Sequence, residues 1–156
     1  MQIRLIVIGS KQKDWVEQAF HSYSKRLPKH WQFCLHEIPS PKRAKKESIP
    51  SLIKKEGLKV LSAIKDNEYL IVLDEKGTQF SSSELSEKII NLNIHDNRFC
   101  FVIGGADGLS DQVKKRANLI WSLSKSTLPH SLVRVIFIEQ IYRVWTLMSQ
   151  HPYHRA

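Results

Sequence analysis

Residues 98–108 read Arg-Phe-Cys-Phe-Val-Ile-Gly-Gly-Ala-Asp-Gly, an apolar run that ends on three glycines within five positions. The apolar part predicts a buried β-strand, with the glycines at its carboxyl end. Open α/β sheets bind their ligands at that edge. Glycine also lets the backbone approach a bound molecule closely or adopt a positive φ. The stretch therefore predicts either a ligand-binding turn or a tight connection from a strand to a helix.

The rest of the chain alternates between strand-like and helix-like patterns. Apolar runs predict strands at about residues 2–9, 31–38, 69–74, 98–103 and 119–123. Helical spacing of apolar residues predicts helices between and after these strands, the last at about residues 132–149. Nearly continuous apolar strands indicate burial on both faces of the sheet, which is typical of parallel sheets. We therefore predict a single α/β domain over residues 1–156, with a mostly parallel sheet of about five strands.

Composition excludes several classes of protein. The chain has 156 residues, of which 42% are apolar and 25% charged, as expected for an ordinary globular domain. Its apolar runs are too short for a membrane span or a secretory signal, so we expect a cytoplasmic protein. Cys34 and Cys100 fall in predicted strands without metal-ligand spacing, which predicts buried free thiols. The His-Pro-Tyr-His sequence at 151–154 contains a helix-breaking proline, so we predict no metal site.

Positive charge is concentrated in one part of the chain. The formal net charge is +9, and residues 24–59 contribute seven of these charges, with ten Lys and Arg against three acidic residues. The segment includes the loop-like sequence Pro-Lys-Arg-Ala-Lys-Lys at 41–46. Such a concentration favours a nucleic-acid partner, since basic side chains bind the phosphate backbone. A solvated basic surface without a partner is the alternative.

The last predicted helix is apolar around most of its circumference. One stripe is formed by Val133, Phe137, Ile141, Val144 and Met148, and a second by Val135, Ile138, Tyr142 and Trp145. A helix with two apolar stripes needs two covering surfaces. The sheet supplies one, and a second copy of the chain is the simplest source of the other, which predicts a homodimer. Another segment of the same chain is the alternative.

Common nucleotide-site motifs are absent from the sequence. The glycine run lacks the lysine and hydroxyl of a phosphate-binding P-loop, and it does not follow the first strand as a dinucleotide fingerprint does. The remaining interpretation is a pocket for an adenosyl-type ligand, walled by the ends of three strands. These walls are residues 73–75, 104–108 and the small, hydroxyl-rich loop 122–130. A non-catalytic RNA-binding factor and a nucleotide hydrolase using Asp74, Glu75 or Asp107 are the alternatives.

Four stretches in a fixed order carry a resemblance to a known family. They are residues 101–108 (FVIGGADG), 123–130 (LSKSTLPH), 139–143 (EQIYR) and 151–155 (HPYHR). Together they resemble the bacterial RlmH (YbeA-type) methyltransferases of the SPOUT superfamily. The resemblance extends over the full length of the chain.

The resemblance implies a homodimeric α/β fold with a trefoil knot near the C-terminus. It also implies that the knotted loops bind S-adenosyl-L-methionine, which methylates N3 of a pseudouridine in 23S rRNA, with the assembled ribosome as the expected substrate. The C-terminal tail would complete the active site of the neighbouring subunit. The cofactor-binding residues implied are Leu73, Gly104, Gly105, Leu123, Ser124, Lys125, Ser126, Thr127 and Leu128.

Four residues are candidates for catalysis at such a site. His130 and His154 titrate near neutrality and are candidate bases for the N3 proton. Arg155 could stabilise the developing anion or bind phosphate, and Tyr153 could stack on the target base. The alternatives are that His130 only caps the last helix and that the tail is frayed.

Overall fold

The computed structural model describes residues 1–10, 12–41 and 47–154. Its strands are β1 (Gln2–Ile8), β2 (Phe33–Ile38), β3 (Tyr69–Gln79), β4 (Arg98–Ile103) and β5 (Leu119–Ser122). Its helices are α1 (Asp14–Ser24), α2 (Ile49–Ala63), α3 (Ser82–Asn93), α4 (Asp111–Arg116) and α5 (His130–Met148). Two short 3-10 turns lie at Lys29–Trp31 and Pro152–His154.

The five strands form one parallel sheet in the order β2-β1-β4-β3-β5. The predicted α/β class and the parallel sheet are thus confirmed. Because the strands are parallel, all their carboxyl ends lie at one edge, and the connections that follow β3, β4 and β5 meet there. The trefoil knot implied by the resemblance stays a prediction.

Helices cover both faces of the sheet, and alternate strand residues build a core on each side. On one face, residues such as Leu5, Ile71 and Phe101 pack with α1, α3 and α5. On the other, residues such as Ile6, Val72 and Val102 pack with α2 and α4. Burial on both faces explains why the central strands are apolar almost throughout.

Two strands differ from the sequence prediction. Trp31 lies in a 3-10 turn before β2, and Gln32 has a φ of 43°, which separates that turn from the strand. Cys34 is exposed, contrary to the prediction of a buried thiol, because β2 is an edge strand that pairs only with β1. Cys100, in the interior strand β4, is buried as predicted. β3 continues past Asp74 to Gln79, where it pairs with β5 again after a shift in register.

The two apolar stripes of α5 are covered largely within the chain. Ile138 and Tyr142, from the second stripe, are buried. The ring of Tyr142 lies 5.9 Å from that of Tyr23 in α1 and 4.8 Å from that of Tyr153 in the tail. The expectation that a second copy of the chain covers this stripe was therefore wrong for Ile138 and Tyr142, which their own chain covers. The homodimer itself stays a prediction.

Three aromatic rings join the elements that end at the ligand edge of the sheet. Phe137 of α5 lies 5.0 Å from Phe101 of β4 and 6.1 Å from Trp121 of β5, measured between ring centroids. The first of these pairs has the tilted edge-to-face geometry that aromatic pairs prefer. All three side chains are at most 2% exposed. This cluster fixes α5 against the two strands.

We expect Phe137→Ala to destabilise the protein by about 3–5 kcal/mol, because it removes a ring from a close-packed core and leaves a cavity. Urea denaturation monitored by circular dichroism measures this loss. The matched control is Ile94→Ala, since Ile94 is 72% exposed, and it should change the free energy of unfolding by less than about 0.5 kcal/mol. Equal effects of the two substitutions would contradict the assignment of Phe137 to the core.

Candidate ligand site at the carboxyl edge of the sheet

A cavity of about 600 Å³ lies at the carboxyl ends of β3, β4 and β5. Its walls are residues 73–76 of β3, where the pairing of β3 with β4 ends, the glycine turn after β4 and the loop between β5 and α5. The described lining residues include Leu73, Gly104, Gly105, Leu123, Ser124, Ser126, Thr127, Leu128 and His130. The structure therefore brings together every residue proposed for cofactor binding except Lys125, which is exposed and does not line the cavity.

The glycine turn is tight for reasons within the protein. A Cβ at Gly104 would lie 2.8 Å from Leu109 Cγ, and one at Gly105 would lie 2.8 Å from Glu56 Oε2. Gly108 instead has a φ of +89°, and its N–H donates to the Gly105 carbonyl at 3.1 Å. Close packing thus accounts for Gly104 and backbone conformation for Gly108, whereas the atom nearest to a Cβ at Gly105 is the end of a flexible glutamate side chain.

The loop after β5 is held by its own hydroxyl groups. Ser122 Oγ donates to the Ser124 carbonyl at 2.8 Å, and Ser124 Oγ accepts from the Ser126 N–H at 2.9 Å. Thr127 Oγ1 donates to Glu75 Oε2 at 3.0 Å, which joins the loop to the end of β3. These bonds order the loop and leave the apolar side chains of Leu123 and Leu128 in the wall of the cavity.

His130 is the first residue of α5, and Pro129 occupies the N-cap position without a side-chain cap bond. The imidazole lines the cavity, and its Nε2 is buried without a hydrogen-bond partner among the described residues. Burial, followed by the nearby Arg134 guanidinium, lowers the pKa of His130, against a weaker opposing effect of the Gly104 and Ile8 backbone. The imidazole is therefore neutral at neutral pH, which is the form that can accept a proton.

Sequence reasoning missed Arg134, which lies one turn after His130. Its side chain is 4% exposed, its Nη1 donates to Glu37 Oε1 at 2.7 Å, and its Nη2 donates to the Gly9 carbonyl. These bonds connect α5 to the carboxyl ends of β1 and β2. The available signal was an arginine within an apolar stretch of helix, since a buried charge needs a partner.

Sequence reasoning also missed the role of Lys114 in the wall of the cavity. Lys114 Nζ of α4 lies 2.6 Å from Asp74 Oδ2 at the end of β3. Asp74 Oδ1 accepts from the Lys76 N–H at 3.0 Å. Burial opposes ionisation of Asp74, but the bonds from Lys114 and Lys76 outweigh it, and the pKa of this carboxyl is lowered.

The tail lies at the opposite end of α5 from the cavity. The helix has 19 residues, so its ends are about 28 Å apart at 1.5 Å per residue. Tyr153 folds back against the middle of its own α5, where its hydroxyl donates to Glu139 Oε1 at 3.2 Å, nine residues or about 14 Å along the axis from His130. The Arg143 guanidinium lies 5.1 Å from the centre of the Tyr153 ring. Burial, with Tyr23 and Glu139 nearby, raises the pKa of Tyr153.

Within one protomer, the structure thus separates Tyr153 from His130. His154 lies in the last 3-10 turn, but its side chain is outside the described part of the structure. Arg155 and the basic residues at 42–46 also lie outside the described residues. Their roles stay predictions.

Comparison with known sequences identifies the family. The family of predicted SPOUT methyltransferases matches residues 1–154. The chain belongs to the SPOUT methyltransferase family. The chain is therefore a methyltransferase, as the four sequence stretches suggested.

Relatives of this SPOUT protein share its full length. A protein named ribosomal RNA large subunit methyltransferase H from Marinomonas sp. (strain MWYL1) is 43% identical over 155 residues, which cover 99% of this chain and 100% of the relative. A protein of the same name from Thioalkalivibrio sulfidiphilus is 42% identical over 155 residues, covering 99% of both chains.

Solved structures show the same fold at low sequence identity. A probable methylase family protein from Haemophilus influenzae Rd KW20 aligns over 99% of this chain and 70% of its own, with a TM-score of 0.58 and 13% identity. A tRNA (m1G37) methyltransferase from Aquifex aeolicus aligns over 92% of this chain and 70% of its own, with a TM-score of 0.53 and 15% identity. At these identities the likeness concerns the fold alone.

The described residues contain neither a group of metal ligands nor a helix that could span a membrane. In residues 1–10, 12–41 and 47–154, no three His, Cys, Asp or Glu side chains are grouped so that they could hold a metal ion. Within the same ranges, every helix is too short or too polar to cross a membrane.

We expect His130 to make stability depend on pH. Because folding lowers its pKa, the contribution is present above the ordinary histidine pKa of about 6.5 and is lost as the pH falls through the lowered value. His130→Gln should therefore flatten the decline in unfolding free energy between about pH 7 and pH 5, measured by urea denaturation at several pH values. The control is His36→Gln, at an exposed position, which should keep the wild-type slope. A wild-type slope in His130→Gln would refute the prediction.

Proposed function

We propose that the protein transfers a methyl group from S-adenosyl-L-methionine to N3 of a pseudouridine in the large-subunit rRNA, on the assembled ribosome. The observation that carries this proposal is the cavity at the ends of β3, β4 and β5, lined by the residues that the family resemblance assigns to the cofactor. Full-length relatives at about 40% identity that are named as large-subunit rRNA methyltransferases support the choice of substrate.

The cavity fits an adenosyl cofactor in size and chemistry. Its volume of about 600 Å³ is within the range of small-molecule sites. Leu73, Leu123 and Leu128 can enclose a flat purine ring, while the backbone of the glycine turn and of the loop can bond its polar edge. The same walls offer charged groups at the β3 side for the polar end of the molecule.

When bound, the cofactor supplies an electrophilic methyl group, so the protein has to position the acceptor nitrogen in line with it. Positioning of this kind provides a large share of the acceleration in transfer reactions. The N3 proton must also leave. His130, neutral at the cavity wall, is one acceptor for it, and His154 of the tail is the other. Arg155 stabilises the developing anion, and Tyr153 stacks on the base.

We propose a homodimer with shared active sites, because the cavity and the tail lie against different parts of α5. The cavity adjoins the first turn of the helix, whereas Tyr153 of the tail contacts Glu139 and Arg143, about 14–20 Å further along the helix axis. A two-fold axis that sets the α5 helices of two protomers antiparallel brings each tail to the partner's cavity. Large apolar side chains are exposed near both ends of α5 and available for such an interface, namely Leu132 and Met148.

Binding to rRNA is proposed from the distribution of charge. Residues 24–59 carry most of the net positive charge. The structure describes this part of the chain except for residues 42–46. Lysine and arginine side chains in this region would contact phosphates and release counterions. A ribosomal substrate also places the protein in the cytoplasm.

Methyl transfer from labelled S-adenosyl-L-methionine to ribosomes, free subunits and naked rRNA tests the proposal. We expect transfer to the large-subunit rRNA of assembled ribosomes, with the product identified by mass analysis of nucleosides as N3-methylpseudouridine.

Leu123→Glu should abolish both cofactor binding and transfer, because it places a carboxylate in the apolar wall. Ile94→Glu, at an exposed apolar residue outside both the cavity and the basic segment, is the matched control and should retain activity. If none of the three substrates receives a methyl group, the proposal is refuted.

Complementation tests whether the tail acts on the partner subunit. A chain lacking residues 153–156 should bind S-adenosyl-L-methionine normally by calorimetry, yet transfer no methyl group. Mixed dimers of this truncated chain with Leu123→Glu should regain up to half of the wild-type activity, because one intact cavity then meets one intact tail. If each tail served its own cavity, the mixed dimers would stay inactive.

A further inference from the structure

The ion pair between Asp74 and Lys114 holds a central place in the wall of the cavity. β3 lies between β4 and β5 in the sheet, and its pairing with β4 ends at Leu73, level with the end of β4 at Ile103, so the next residues of β3 open onto the middle of the ligand edge. Asp74 follows Leu73 there, and Lys114 reaches it from α4 with an Nζ–Oδ2 distance of 2.6 Å. Both residues line the cavity. Neither belongs to the residues that the family resemblance assigns to the cofactor.

The pair is only partly exposed but can make further bonds. The side chain of Asp74 is 12% exposed and that of Lys114 is 31% exposed. A lysine ammonium has three donors, of which the bond to Asp74 uses one. A carboxylate offers about four acceptor positions, of which the Lys76 N–H and Lys114 use two. Each member of the pair can therefore bind a ligand group of opposite charge without breaking the pair.

Other ionisable side chains around the cavity differ from this pair. Glu75 is exposed and accepts a hydrogen bond from Thr127. Asp107 also has a bonding partner within the protein. His130 is uncharged at neutral pH, and Lys76 is exposed. The Asp74–Lys114 pair presents both signs of charge side by side in a partly enclosed place, where electrostatic interactions are stronger than in water.

We propose that Asp74 and Lys114 bind the α-amino-acid end of the methyl donor, Asp74 accepting from its ammonium group and Lys114 donating to its carboxylate. This inference rests on the proposed function of the cavity. An ion pair matches a zwitterion because both new contacts join opposite charges. A lone cation such as the sulfonium gains less, since Lys114 already balances the charge of Asp74. The apolar side chains of Leu123 and Leu128 in the same cavity would hold the adenine ring.

Three ligands separate this role from the alternatives. S-Adenosylmethionine has the sulfonium and the amino-acid end, S-adenosylhomocysteine has only the amino-acid end, and 5′-methylthioadenosine has neither. Calorimetry with Asp74→Asn and with Lys114→Met should show about tenfold weaker binding of the first two ligands, the effect of losing one charge-assisted hydrogen bond. Binding of 5′-methylthioadenosine should not change. Lys115→Met, at the exposed neighbouring lysine of α4 that does not line the cavity, is the matched control and should bind all three ligands as the wild type does.

Each other outcome overturns the inference. Equal weakening for all three ligands would mean that the ion pair only supports the fold of the wall, and unfolding curves of the variants would show the accompanying loss of stability. Weakening for S-adenosylmethionine alone would assign Asp74 to the sulfonium. Unchanged binding in both variants would remove the pair from the site. If the wild-type protein binds none of the ligands, the proposed function of the cavity fails first.

Discussion

The packing of Phe137 against Phe101 and Trp121 is the interaction on which the site depends. Each ring belongs to an element with one end at the cavity: α5 begins there at His130, β4 ends in the glycine turn, and β5 continues into the apolar loop. The cluster is almost completely buried, so it fixes the three elements relative to one another. The loops that form the cavity therefore begin from rigid positions, which is what a site for oriented transfer requires.

Electrostatic interactions divide the cavity into two sides. On the α5 side, burial and the guanidinium of Arg134, which is bonded to Glu37 and Gly9, keep His130 neutral. On the β3 side, Lys114 keeps Asp74 ionised. The cavity thus has an uncharged imidazole in one part of its wall and an ion pair in another, with the apolar side chains of Leu123 and Leu128 also in its lining.

Much of the fold could be predicted from the chain, and the errors have physical causes. The apolar runs of β3 and β4 predicted a parallel sheet correctly because burial on both faces leaves a strong pattern. Cys34 was misplaced because its strand looks apolar, yet only the strand order shows that β2 is at the edge. Among the predicted cofactor residues, Lys125 alone does not line the cavity and is exposed. The path of the loop decides which of its side chains face the cavity, and this path cannot be read from the sequence. Arg134 and Lys114 were missed because their partners, Glu37 and Asp74, are distant in sequence.

By itself, the sequence determined the class of fold, the family and most of the cavity wall, because these depend on local patterns and on motifs that are contiguous in the chain. The tertiary structure decided which separate motifs meet. It brought His130 to the glycine turn and to residues 73–76 of β3, and it packed Tyr153 against the middle of the same helix. The physical reason is that a helix of fixed rise holds its two ends apart, while a parallel sheet brings the ends of its strands together.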